Sequence, residues 1–212
     1  MSHREAGERT PEVLIPPDPT VQALQEAARS CQGCGLWRDA TQTVFGEGTQ
    51  RASVMLVGEQ PGDREDIEGR PFVGPAGKLL DRALEEAGID RKKVYVTNVV
   101  KHFKWTPKGK RRLHKRPNAE EISACMPWLE AEIAVVQPKI LVCLGATAAQ
   151  ALLGKSFRVS QQHGELMEGP GYKIMATMHP SSILRLQDEQ DRELQTRDLV
   201  DDLTAAANVL NH

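Results

Sequence analysis

The sequence predicts an α/β fold in which a parallel sheet carries helices on both faces. Two observations predict it. Four short apolar runs of strand length alternate with stretches of helical periodicity. The unusual polar residues collect just after those runs, where the loops of a parallel sheet gather along one edge and build a site.

The elements follow in order. Residues 1–17 are polar and Pro-rich and read as a flexible N-terminal tail, which leaves 18–212 as one domain. From Thr20 to Ser30 the spacing of Val21, Leu24, Ala27 and Ala28 predicts a helix. Residues 53–57, SVMLV, end in Gly58 and fit a buried strand. The loop GEQPGDREDIEGRPFVGPAG follows, and Lys78 to Ala87 is an amphipathic helix stopped by Gly88. Val94 to Thr97 is the second strand, with a strongly basic loop after it. Asn118 and Glu121 form a capping box for a helix that runs to about Val136 and ends before Pro138. KILVCLG is the third strand and ATAAQALL a short helix stopped by Gly154. YKIMAT, residues 172–177, is the fourth strand and runs into HPSS. A helix over roughly Arg192 to Val209 closes the pattern.

Composition narrows the class. The chain has 212 residues, 40% of them hydrophobic, which gives room for a sizeable core. No apolar run approaches the roughly 20 residues that span a bilayer, and the polar start lacks the apolar segment of a signal peptide. A cytoplasmic protein is the expectation. Four cysteines in such a chain point to metal or redox chemistry rather than disulfides. The net charge of −2 hides an asymmetry. Residues 101–116, KHFKWTPKGKRRLHKR, hold eight Lys and Arg and no acid, whereas the remainder carries 19 basic against 29 acidic residues. One intensely basic loop on an acidic body predicts a local contact with a polyanion. Phe103 and Trp105 within it favour nucleic acid, because aromatic rings stack on bases.

Three strand-end loops carry the chemistry. In GEQPG the one acid is Glu59, able to stabilise a cationic sugar or to orient an attacking group. Phe72, among Gly and Pro residues, can offer an aromatic face to a base drawn out of the stack. Asn98 presents an amide with one acceptor and two donors, able to read a neighbouring acceptor and donor on the edge of a base. His179, before Pro180, can stabilise negative charge on a leaving base. Ser181 and Ser182 can cap the next helix and offer backbone N–H groups to a phosphate, and Arg185 can add a charge contact. The C-x₂-C pair Cys31 and Cys34 suits zinc or an iron–sulfur cluster equally.

GEQPG, GRPFVGPAGKLLD, VYVTNVVKH, Cys125-x-Pro-Trp-Leu and HPSS occur in that order. The order resembles the iron–sulfur uracil-DNA glycosylases called family 4, over roughly residues 30–185. Within that superfamily the chain looks most like the UdgX group. Gln60 stands where family 4 has a small residue, and KRRLHK at 110–115 matches the insertion that marks UdgX. The resemblance implies a three-layer α/β/α sandwich around a four-stranded parallel sheet. It implies excision of uracil from DNA, with single-stranded DNA the expected preference, free uracil as product and a monomeric enzyme. The catalytic set is then Glu59, His114 and His179, and the uracil-binding set Gln60, Phe72, Asn98 and His179. Lys110, Arg111, Arg112, Lys115, Ser181, Ser182 and Arg185 are the expected DNA contacts. In UdgX the His of the basic insertion attacks the sugar carbon left by uracil, so His114 is the expected nucleophile of a single-turnover reaction. On composition alone His114 is a phosphate contact.

Family 4 has a Cys directly after its NVVK-like stretch, where this chain has His102. The resemblance therefore implies a [4Fe–4S] cluster on Cys31, Cys34, His102 and Cys125. Three Cys and one His also make an ordinary zinc set. Cys143, inside ILVCLG, reads as a small core hydrophobe. Competing readings are a multiple-turnover family 4 glycosylase, a non-catalytic metal-containing nucleic-acid-binding module, and an electron carrier.

Overall fold

A computed structural model describes residues 9–211. The helices are α1 (Pro11–Leu14), α2 (Val21–Ala28), α3 (Asp63–Glu68), α4 (Pro75–Glu86), α5 (Ala119–Val136), α6 (Ala146–Leu153), α7 (Val159–Gln162), α8 (Pro180–Ile183) and α9 (Glu189–Asn208). The strands are β1 (Glu47–Gly48), β2 (Val54–Gly58), β3 (Val94–Asn98), β4 (Trp105–Lys108), β5 (Arg111–His114), β6 (Ile140–Leu144), β7 (Met167–Glu168) and β8 (Lys173–Thr177).

The main sheet runs β1-β3-β2-β6-β8-β7. Its four central strands are the expected parallel set. The two outer strands are antiparallel additions of two residues each, too short to show any alternation in sequence. Every residue of β2, β3 and β6 is buried, as expected for strands covered on both faces. Alternate side chains feed two cores. Met55, Val57, Tyr95, Leu141 and Cys143 pack with α2, α5 and α6 residues such as Leu24, Trp128 and Ala149. Val54, Leu56, Val96 and Val142 pack with Leu80, Leu84, Leu199 and Leu203 of α4 and α9.

Three expectations change. Of the stretch 1–17 read as a loose tail, residues 1–8 lie outside the described residues, whereas 11–14 form α1, packed on α5 with Pro11 buried. The chain there is held by Gln32 N–H, which donates to the Arg9 carbonyl at 2.7 Å. The loop after β2 contains α3, whose acidic first turn suits the positive end of a helix. The basic loop is a β-hairpin: Trp105 pairs with His114 and Lys108 with Arg111, around Gly109 at φ +59°. The charge of this segment masked two four-residue strands and a Gly turn. No helix among the described residues is long and apolar enough to cross a membrane.

Candidate active site

The C-terminal ends of β2, β3, β6 and β8 open onto a cleft of about 760 Å³. It is lined by Glu59 and Gln60 after β2, Asn98 at the end of β3, Gly145 and Thr147 after β6, and His179 after β8, with Phe72 and His114. Glu59, Gln60, Phe72, Asn98, His114, His179, Ser181, Ser182 and Arg185, all singled out from sequence, thus meet in one place.

One wall is built on the sheet itself. Gly58 ends β2, and a Cβ there would lie 2.4 Å from Asn98 Oδ1 and 2.8 Å from the Phe72 ring. Only glycine lets the two side chains close on each other. Phe72 sits at φ +56°, a conformation costly for an aromatic residue. Gly77 sustains it, since any Cβ there would collide with the Phe72 carbonyl. The Phe72 ring stacks on His179, centroids 6.0 Å apart and planes 24° apart. Asn98 is 2% exposed, and its Nδ2 is buried without a partner among the described residues. An orphaned amide donor at the wall of a cleft is a group waiting for an acceptor.

Asn98 is fixed from behind. Lys101 Nζ donates to the Asn98 carbonyl and to Thr97 Oγ1, each at 2.7 Å, and pairs with Glu132 at 2.5 Å. Glu132 also accepts from Tyr95 Oη at 2.8 Å and from Gly46 N–H at 3.1 Å. This buried pair is surrounded by donors, the condition under which a buried charge is tolerated. Lys101 is therefore no part of the solvated basic surface.

His179 is set by its neighbours. Ser181 N–H donates to His179 Nδ1 at 3.1 Å, and Ser181 Oγ lies 2.8 Å from the same nitrogen. Nδ1 is thus an acceptor, and the neutral ring carries its proton on Nε2. Burial, then the charges of Arg185 and His114, push its pKa down to about 4, so the neutral form prevails near pH 7. The expectation that Ser181 and Ser182 offer their N–H groups to phosphate is corrected. Ser181 N–H serves His179 Nδ1, and Ser182 N–H and Oγ both donate to the His179 carbonyl, at 2.8 and 2.7 Å.

The other wall is the hairpin. β5 turns Arg112 and His114 to one side and Arg111 and Leu113 to the other. Arg112 is not a free DNA contact as expected. It donates to Asp63 and to the fully buried Asp66, each at 2.6 Å, and covers Phe103 and Trp105. Phe103, expected to stack on bases, is 1% exposed beneath Arg112 and His114. Trp105 Nε1 donates to the Asp39 carbonyl at 2.9 Å. Lys108, Lys110, Arg111 and Lys115 are exposed and make no ion pair among the described residues.

Gln60 lines the cleft and also braces the hairpin. Its Oε1 accepts from Lys104 N–H at 3.2 Å, and its Nε2 lies 3.2 and 3.0 Å from the Lys104 and Lys115 carbonyls. The same Nε2 is 2.9 Å from His114 Nε2. The amide has two protons, which serve the two carbonyls. Burial lowers the His114 pKa, Glu59 opposes the shift and Arg185 adds to it. Glu59 Oε1 lies 3.5 Å from the same nitrogen, and Glu59 Oε2 accepts from Thr147 Oγ1. Neither Thr147 nor its neighbour Arg116 was singled out from sequence.

The thiols lie behind the hairpin. Cys31 and Cys125 are buried and Cys34 half-buried. Trp128 Nε1–H points at Cys31 Sγ and Lys101 N–H at Cys125 Sγ, each at 3.3 Å. Burial pushes Cys125 up to about 12, against the lowering effect of the Lys101 charge and N–H. His102 is 5% exposed. Its Nε2 is 3.0 Å from Thr43 Oγ1, whose single proton goes to the Ala28 carbonyl at 3.0 Å. The hydroxyl can then only accept from His102, which leaves Nδ1 with its lone pair. Cys143 is fully buried in β6. No three His, Cys, Asp or Glu side chains among the described residues converge on one ion.

The family model described as the Uracil DNA glycosylase superfamily matches residues 45–204, which span the sheet and the strand-end cleft. The chain belongs to the uracil-DNA glycosylase superfamily. It is 37% identical to a type-4 uracil-DNA glycosylase of Thermotoga maritima, over 84% of this chain and 91% of the relative. It is 34% identical to that of Sulfurisphaera tokodaii, over 83% and 84%. A type-5 uracil-DNA glycosylase of Thermus thermophilus is 32% identical over 76% of this chain and 85% of its own length.

Proposed function

We propose that residues 18–212 form one uracil-DNA glycosylase domain that flips uracil from DNA and cleaves its N-glycosidic bond. The observation that carries the reading is the orphaned Asn98 Nδ2 on a wall shared with Phe72 and a neutral His179. The Phe72 ring offers a stacking face. The Asn98 amide pairs with O4 and N3–H. The Nε2–H of His179 donates to uracil O2 as the base departs with the bonding electrons. Glu59 stands where the sugar becomes cationic. Free uracil released from uracil-containing single-stranded DNA tests the activity, with cytosine DNA as control.

The finer reading is covalent trapping by His114. Its support is the place of His114 Nε2 between Gln60 and Glu59, at the mouth of the cleft and on a tethered hairpin. In the tautomer protonated on Nδ1, the Nε2 lone pair forms the N–C1′ bond as the C1′–N1 pair leaves with uracil, and the imidazolium then gives up its Nδ1 proton. With the imidazole in the place of water, the enzyme acts once. The expected product is a detergent-resistant complex with uracil-DNA, absent in His114→Ala, whose residual excision leaves an abasic site. Many turnovers by the wild type, or an adduct persisting in His114→Ala, overturns the assignment.

The cofactor reading is a [4Fe–4S] cluster held by Cys31, Cys34, Cys125 and His102 through Nδ1. The residues fit: N–H donors already face two sulfurs, and Thr43 fixes the ligating tautomer of His102. Such a cluster pins α2 and the chain after β3 together. Anaerobically purified protein is expected to be brown and to contain iron. His102→Cys keeps the colour, Cys125→Ala loses it and Cys143→Ala leaves it unchanged. Zinc in a colourless preparation overturns the cluster.

A further inference from the structure

Glu59 is gripped by a loop that sequence motifs pass over, the start of α6. β6 ends at Leu144, and Gly145 follows at φ +88°, with His179 Cβ only 2.9 Å from where its own Cβ would stand. This close approach brings the first turn of α6 against the cleft. Thr147, 4% exposed, donates its hydroxyl proton to Glu59 Oε2. Thr147 Oγ1 itself accepts from Arg116 Nε at 3.0 Å, and Arg116 Nη2 donates to Gln150 Oε1, also on α6, at 3.1 Å. Arg116 Nε is 3.9 Å from Glu59 Oε2. The second carboxylate oxygen, Oε1, is the one that faces His114.

We propose that Thr147 is a positioning residue that fixes the rotation of the Glu59 carboxylate, with Arg116 as the brace that orients the Thr147 hydroxyl. The terminal torsion of a glutamate is broad and two-fold, so an untethered carboxylate samples many angles. Holding Oε2 from one side commits Oε1 to the reacting sugar. The Thr147 hydroxyl has one proton, and Arg116 occupies its accepting side, so that proton can only go to Glu59. Arg116 lies two residues beyond His114. Seating the hairpin therefore places the nucleophile and sets the carboxylate in one movement.

This rests on the reading of Glu59 as the group that meets the sugar. The test is single-turnover uracil release at saturating single-stranded uracil-DNA, by the full chain as purified. Thr147→Val keeps the shape and removes the hydroxyl. It is expected to slow release by roughly ten- to a hundredfold, the range a small misplacement of a catalytic group costs, with DNA affinity unchanged. Thr147→Ser is expected to restore most of the rate. In a Glu59→Gln background Thr147→Val is expected to add nothing further. Arg116→Met, at a side chain that is 58% exposed, is expected to give a smaller loss that disappears when Thr147 is already Val. A wild-type rate in Thr147→Val, a Thr147→Ser enzyme as slow as Thr147→Val, or a full Thr147→Val loss in Glu59→Gln each sinks the proposal. Absence of uracil release from the wild type sinks the functional reading first, and this inference with it.

Discussion

The two walls of the cleft are held by different physics. The sheet wall, Gly58, Phe72 and Asn98 with His179, is set by strand ends whose neighbours are buried on both sides. The hairpin wall carries His114 on four-residue strands that are mostly exposed. It stays in place through a few polar ties, Gln60 to its base and Arg112 to Asp63 and Asp66. The sheet wall is thus rigid because the core is rigid, whereas the hairpin wall is only as well placed as its ties.

Cutting a tie is the most severe way to break that contrast. Arg112→Ala leaves Asp66 as a buried unpaired charge, at a cost of about 3 kcal/mol. The expected result is loss of most covalent complex and a lower melting temperature, while uracil release falls less than complex formation. Equal losses in both would mean that the hairpin also shapes the base pocket. On the sheet wall, Asn98→Ala is expected to reduce uracil release by at least roughly tenfold, from about 1–3 kcal/mol of lost discrimination. DNA binding and melting temperature should hold, because Nδ2 has no partner to lose among the described residues.

The walls also differ in pH response. His179 is neutral when folded, with its pKa lowered to about 4 from about 6.5. The unfolded chain takes up that proton first as pH falls, so the His179 contribution to stability is full above about 6.5 and is lost down to about 4. Thermal denaturation from pH 7 to pH 4 should show a shallower loss in His179→Gln than in the wild type; matching slopes would argue against a buried neutral ring. The mildest change is at the hairpin tip. Lys110→Ala is expected to weaken DNA binding evenly across sequences and to reduce the salt slope by about one. A sequence-dependent effect would place that lysine at a base.

The core of the fold was legible because buried parallel strands write themselves as apolar runs, as in SVMLV and KILVCLG. Asn118 and Glu121 marked the start of α5 to the residue. β1 and β7 were not legible, since two residues carry no period. The cleft residues were legible as outliers at strand ends. What they bind inside the protein was not. Arg112 and Lys101 look in sequence like the other cations of a basic run, and only folding shows that acids 31 to 49 residues away neutralise them. Thr147 was invisible for a simpler reason: a Thr in the first turn of a helix is an ordinary helix residue until a carboxylate is brought to it.

The segment from Glu59 to Asp66 holds the carboxylate, the Gln60 brace and both acids that anchor Arg112. Engineering follows from this adjacency. Grafting the hairpin alone onto another glycosylase would deliver His114 with nothing to seat it. The transplantable unit is a pair, the eight residues after β2 together with the sixteen of the basic stretch, and the two halves must be inherited together.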